Sequence, residues 1–175
     1  MVTDLVYRDK EQLRKSQGER CVIYDIFCTT DNGEKFIVEM QNKKQEHFED
    51  RALYYAARGI VGQGISGDWD YDFEAVSGIY LMNFTEEVLL GEFRSDFGIR
   101  NLRTDVPHDR VQVLTHRLRM VFLQMPLFTK NEADCKTDLD KWTYILKNME
   151  TLTTIPWQAE KAAFKQSHKS AVTRL

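Results

Sequence analysis

With 175 residues, 42% of them hydrophobic and 29% charged, the chain is long enough to bury one proper core and too short for two ordinary domains, so a single domain over 1–175 is expected. No run approaches the roughly 20 apolar residues of a membrane span, and the opening "MVTDLVYRDKEQ" lacks the basic start and apolar stretch of a secretory signal, so the cytoplasm is the expected location. The net charge of −3 supplies no global basic field for nucleic acid, and any such binding must rest on local charge: Lys43, Lys44, Arg51 and Arg58, then Arg94, Arg100, Arg103, Arg110, Arg117 and Arg119.

Residues 2–8, "VTDLVYR", read weakly as a strand and lead into a polar segment through "KSQGE". Two strands over 20–30 and 34–41 then flank "DNG". A helix is expected over 46–62, because Glu46, Glu49 and Asp50 crowd its start, Arg58 sits late, and Gly62 and Gly64 close it. Its apolar face takes Phe48, Ala52, Tyr55 or Ala56, and Ile60. After the loop "GQGISGDWDYD", the run "AVSGIYLMNF" reads as a buried strand over 75–84. "EFRSDFGIRNL" alternates like a strand, while "RVQVLTHRLRMVFLQM" fits either a strand near 117–125 or a helix. "DLDKWTYILKNMETL" is an amphipathic helix capped by Thr137 or Asp138, with Leu139, Trp142, Ile145, Leu146 and Met149 on one face. The final stretch, from "PWQAEKAAF", starts helically and becomes a polar tail over 157–175.

Cys21, Cys28 and Cys135 are odd in number and lack paired CxxC spacing, which argues against a disulfide framework or structural zinc; reduced thiols in or near the core are expected. His47, His108, His116 and His168 are scattered singly, without the spacing of a histidine metal site.

Chemistry concentrates in the hairpin "CVIYDIFCTTDNGEKFIVEMQ", where Asp25 and Glu39 interrupt two apolar strands. An unpaired buried carboxylate costs several kcal/mol, on the order of what a domain can spare, so both acids need partners or a cation. Glu39 and Gln41 share a face, since side chains alternate along a strand. The turn decides whether Asp25 joins them. A two-residue Asn32–Gly33 turn sets Asp25 against Met40, on the wrong side. A three-residue loop of Asp31, Asn32 and Gly33, with Gly33 left-handed, sets Asp25 across from Glu39. In that register two like charges lie close, and one carboxyl's pKa rises unless a divalent cation sits between them. All-oxygen donors favour Mg²⁺ or Mn²⁺ over zinc. A simple ion pair with a basic side chain, or an exposed edge, remains the ordinary alternative.

A hairpin with Asp on its first strand and E-x-Q on its second, followed by a helix, resembles the core of the PD-(D/E)XK nuclease superfamily. The nearer likeness is to its transposase-associated branch, the recombination-promoting nuclease (Rpn) family. It is carried by "VIYDIFCTTDNGEKFIVEMQ", "FEDRALYYAAR", the "GDWDYDFEAVSGIYLMNF" stretch and "LQMPLFTKNEADCKTDLDKWTYILKN", over roughly 20–150. The resemblance implies an α/β, restriction-endonuclease-like core: a mixed central sheet with the D…ExQ hairpin, flanked by helices. It further implies Mg²⁺-dependent hydrolysis of DNA phosphodiesters, with Asp25 and Glu39 as metal-binding acids and Gln41 where the wider superfamily most often has lysine.

Glutamine can orient a water by hydrogen bonds but supplies neither charge nor a base. Lys43 continues the 39, 41, 43 alternation and reaches back toward the site if the strand runs that far. Arg51 and Tyr55, on the following helix, are candidate phosphate contacts. The family's further helical segment with a D-x-x-F-K type motif ahead of the first strand is not visible; an acid from it would be missing, with Glu11 a speculative substitute. A catalytically inactive nuclease-fold remnant, serving as a DNA-binding or protein-interaction module with possible homo-oligomers, stays open beside the enzyme. So does an RNA-processing nuclease of the same fold.

Overall fold

The structure, a computed structural model, describes residues 25–102 and 113–152. The expected strand over 2–8, Glu11, Cys21, the first residues of the strand over 20–30, Arg103, Arg110, His108, His168 and the polar C-terminal stretch lie outside the described residues. Two compact units divide the chain, Met1–Leu127 and Phe128–Leu175.

In the first unit, β1 (Ile26–Thr29) and β2 (Lys35–Gln41) form the expected hairpin. Ile26 pairs with Val38 and Thr29 with Lys35, so the three-residue loop Asp31–Gly33 is the one adopted. Thr30 N–H donates to Glu34 O at 2.9 Å and Gly33 N–H to Thr30 O at 3.0 Å. Gly33 has φ +86°, the left-handed conformation that costs glycine least.

Helix α1 (Phe48–Val61) leads to β3 (Val76–Met82), which pairs parallel with β2. β4 (Arg94–Arg100) and β5 (Val113–Gln124) complete a five-stranded sheet in the order β1-β2-β3-β5-β4, with β3/β5 parallel and the outer pairs antiparallel. This is the expected mixed sheet. The ambiguous run around 113–124 is a strand because its second half is interior: β3 pairs with it over Leu118–Gln124, and Phe122, Leu123 and Gln124 are all buried. Such two-sided burial suits a strand with neighbours on both edges.

One face of the sheet packs against α1 through Phe48, Ala52, Tyr80, Met82 and Phe122, with Leu89. The Tyr80 ring stacks on Phe122 at 4.8 Å between centroids and sends its hydroxyl to Ala52 O at 2.7 Å, so the buried phenol keeps a hydrogen bond. Phe48 meets Tyr80, Phe84 and Phe122 edge-on. Further along α1, Gly59 lets the helix lie close on Ile37 and Val76; a Cβ there would stand 3.0 Å from Val76 Cγ1. Cys28 and Cys135 are buried free thiols whose pKa burial raises. Among the described residues no helix is long and apolar enough to cross a membrane.

In the second unit, α2 (Asp138–Asn148) starts at Thr137, one of the two caps expected. Thr137 Oγ1 accepts from Asp140 N–H at 3.1 Å, and Asp140 Oδ2 accepts from Thr137 N–H at 3.1 Å, a reciprocal capping box. The Lys130 ammonium, 2.7 Å from Asp140 Oδ1, and these main-chain donors hold the Asp140 carboxyl down at about 2. Thr137→Ala is expected to cost about 1 kcal/mol, read as a lower urea midpoint; an unchanged midpoint would mean that the cap carries no weight.

Candidate active site

The adopted hairpin register delivers Asp25 to Glu39. Asp25 N–H donates to Glu39 Oε1 at 3.2 Å, and Asp25 Oδ2 accepts from Met40 N–H at 2.8 Å. Asp25 is exposed whereas Glu39 is buried, 8% accessible. Burial, and next the Asp25 charge, push the Glu39 carboxyl up to about 7, against a smaller opposing pull from the Asp25 N–H and the Arg51 guanidinium. The expected consequence of two close acids is therefore present: near neutral pH one of them hesitates to ionise.

Gln41 ends β2, and its two amide ends point to different partners. Nε2 donates to Lys43 O at 2.9 Å, and Oε1 accepts from Arg51 Nη2 at 2.7 Å. Arg51 also donates through Nη1 to Gln45 Oε1. Its guanidinium lies 5.3 Å from the centre of the Phe48 ring and 5.9 Å from that of Tyr55. Tyr55 thus serves as a wall for Arg51, and it also packs beside Ile37 and Val76. Since β2 stops at Gln41, the alternation that would have aimed Lys43 at the acids is broken. Lys43 is exposed in the connection to α1, and its carbonyl contributes to the network.

Gln45 escaped the sequence reading because it lies in a connection without periodicity, and only the placement of α1 over β2 brings it to Arg51. Lys44 is likewise tied by a fold-level contact, 2.7 Å from Glu86, whose carboxylate is largely buried. The other candidate cations divide by partner. Arg94 and Arg119 converge on Asp96 at 2.5 and 2.8 Å, and Arg117 reaches Asp72 at 3.2 Å and Glu74 at 3.7 Å. Hydrogen bonds from Arg94 foremost, then Arg119, hold the Asp96 carboxyl below its usual range.

The donor set fits a hard divalent cation. Mg²⁺ is commonly held by one or two carboxylates, with water and phosphate completing its shell. Asp25 Oδ1 and Glu39 Oε2 accept no hydrogen bond among the described residues, which leaves one oxygen on each acid for such an ion. Among the described residues no cluster of three or more histidine, cysteine or acidic side chains stands ready for a metal.

A family model described as "PD-(D/E)XK nuclease family transposase" matches residues 1–174. No curated protein and no solved structure is similar enough to match. The family match spans nearly the whole chain, and the mixed five-stranded sheet with its helices agrees with an α/β, restriction-endonuclease-like fold. The chain belongs to the PD-(D/E)XK nuclease family transposases.

Proposed function

We propose that the protein is a Mg²⁺- or Mn²⁺-dependent DNA endonuclease of the transposase-associated Rpn type, cleaving phosphodiester bonds at the Asp25–Glu39 junction. The observation that carries this reading is the three-residue hairpin loop, which sets Asp25 beside Glu39. Asp25 and Glu39 would hold the cation, which when bound polarises the phosphoryl oxygen and makes water a better nucleophile. Glu39, reluctant to ionise while it has no cation beside it, would hold the ion as a carboxylate, its proton released to solvent. Gln41 spends one Nε2 hydrogen on Lys43 O and keeps the other to orient the attacking water. Arg51, walled by Tyr55, contacts phosphate, and exposed Lys43 meets the DNA backbone farther out.

The test is cleavage of plasmid DNA with and without millimolar Mg²⁺. Asp25→Ala and Glu39→Ala are each expected to lower the rate by at least about 10³-fold, as expected when a site loses charge stabilisation aimed at the transition state, with circular dichroism unchanged. Equal cleavage by wild type and both variants would remove the assignment. No metal-dependent cleavage by the wild type would leave a non-catalytic nuclease fold.

A further inference from the structure

Position 41, two residues beyond Glu39 on β2, carries a neutral glutamine, so the strand itself brings no positive charge beside the two acids. We infer that Arg51 supplies that charge: its guanidinium, presented from α1 through the Gln41 and Gln45 amides, neutralises the scissile phosphate as its negative charge grows in the transition state. This assignment rests on the nuclease reading above and names the cationic group of that same site.

The argument starts from what holds Arg51. A partly buried arginine ordinarily sits against a carboxylate, which spends its charge. Even the exposed Arg94, Arg117 and Arg119 each pair with a carboxylate. Arg51 is more buried than these, yet its hydrogen-bond partners among the described residues are the neutral amide oxygens of Gln41 and Gln45, and its flanks are the Phe48 and Tyr55 rings. Neutral partners fix the direction of the guanidinium without cancelling its charge. Two of its five N–H groups serve the amides, which leaves others for phosphate oxygens in the forked geometry that arginine offers.

The position fits as well. Gln41 lies two residues along β2 from Glu39 on the same face, and its Oε1 holds Nη2 at 2.7 Å. The Arg51 charge already reaches Glu39, where it favours the ionised carboxylate. Gln41 thus acts as a positioning residue as well as a water contact: its amide turns the charge of a helix residue toward the place where a strand lysine would have stood. Gln45 is the second positioning residue, holding the other arm of the fork.

The experiment compares single-turnover plasmid cleavage in Mg²⁺ by wild type, Arg51→Met, Arg51→Lys, Gln45→Ala and the double variant Arg51→Met/Gln41→Lys. Methionine keeps an apolar stem over Phe48 and Tyr55, so the fold persists and thermal unfolding checks it. Arg51→Met is expected to lower the single-turnover rate by about 10²-fold or more, the scale of losing one preorganised charge or donor, with a smaller change in DNA affinity measured in Ca²⁺. Gln45→Ala is expected to give a milder loss, about tenfold, from a guanidinium held on one side only. Gln41→Lys in the Arg51→Met background is expected to return at least about tenfold of the lost rate, because the charge is then supplied from the strand. A purely structural Arg51 would not be rescued from Gln41. If Asp25→Ala abolishes cleavage while Arg51→Met cleaves at the wild-type rate, or if Gln41→Lys restores nothing, the inference is overturned and the nuclease reading stands. A wild type that does not cleave removes both.

Discussion

Glu39→Gln is expected to stabilise the metal-free protein at pH 8 by roughly 2 kcal/mol and to leave it nearly unchanged at pH 4. The sign follows from the direction of the shift. In the folded chain the Glu39 carboxyl ionises at about 7, above its ordinary 4.5, because it is buried and because Asp25 adds a like charge. A folded-state pKa raised above the unfolded one contributes stability that is complete below about 4.5 and is lost as pH rises through about 7. Wild-type stability should therefore decline across this window in EDTA. The glutamine variant keeps an Oε1 for the Asp25 N–H and carries no charge, so its curve should lack that decline. Urea midpoints between pH 4 and pH 8 read the difference, and parallel curves would mean that the carboxyl is not perturbed. Mg²⁺ at millimolar concentration should raise the wild type at pH 8 and not the variant, since binding to the folded state alone adds RT ln(1 + [L]/Kd). The same substitution that gains stability is expected to lose cleavage, which is how a site kept for function behaves.

Phe48→Ala carries the largest expected loss of stability, about 3–5 kcal/mol. The side chain is 1% exposed and meets three other rings at centroid distances of 5.7 to 6.3 Å. Removing it takes away apolar burial and opens a void that Tyr80, backed by Phe122 and held to Ala52, cannot swing to fill. Phe48→Leu should lose clearly less, because most of the volume stays. A denaturation midpoint that falls equally for both would place the cost in the lost ring contacts rather than in the void. Phe48 is also the first residue of α1 and the floor beneath Arg51, so the alanine variant should lose activity out of proportion to its folded fraction.

The parts of this fold that were legible in the sequence are those set by neighbours along the chain. "TTDNGE" marked the turn and left two registers open, and the structure adopts the three-residue one, with Gly33 at the left-handed corner, whose parity brings Asp25 to Glu39. The helix over 46–62 was legible from its charged ends and apolar stripe, and the structure trims it to 48–61. Thr137 and Asp140 lie three apart and announce their cap locally. By contrast, strand or helix for 113–124 could not be decided by periodicity, because only its last three residues, Phe122, Leu123 and Gln124, are buried, and these are consecutive, so they show no alternation. The Arg51–Gln41 contact was also hidden, since it joins two elements whose relative placement is set by Phe48, Gly59 and the sheet beneath them. For Lys43 the condition was that the strand run as far as residue 43, and β2 ends at Gln41.

Gln124, fully buried, takes the Glu86 N–H on its Oε1 and gives an Nε2 hydrogen to Glu92 O, both at 2.7 Å. One side chain thus closes the segment between β3 and β4 into a ring, tied at both ends to the middle of the sheet. A segment tied at both ends has no free end from which to peel. Because the Glu86 carboxylate in that segment grips Lys44, next to Gln45, the connection that steadies Arg51 is moored to a core amide, and the stiffness of the candidate site is inherited from the interior of the sheet.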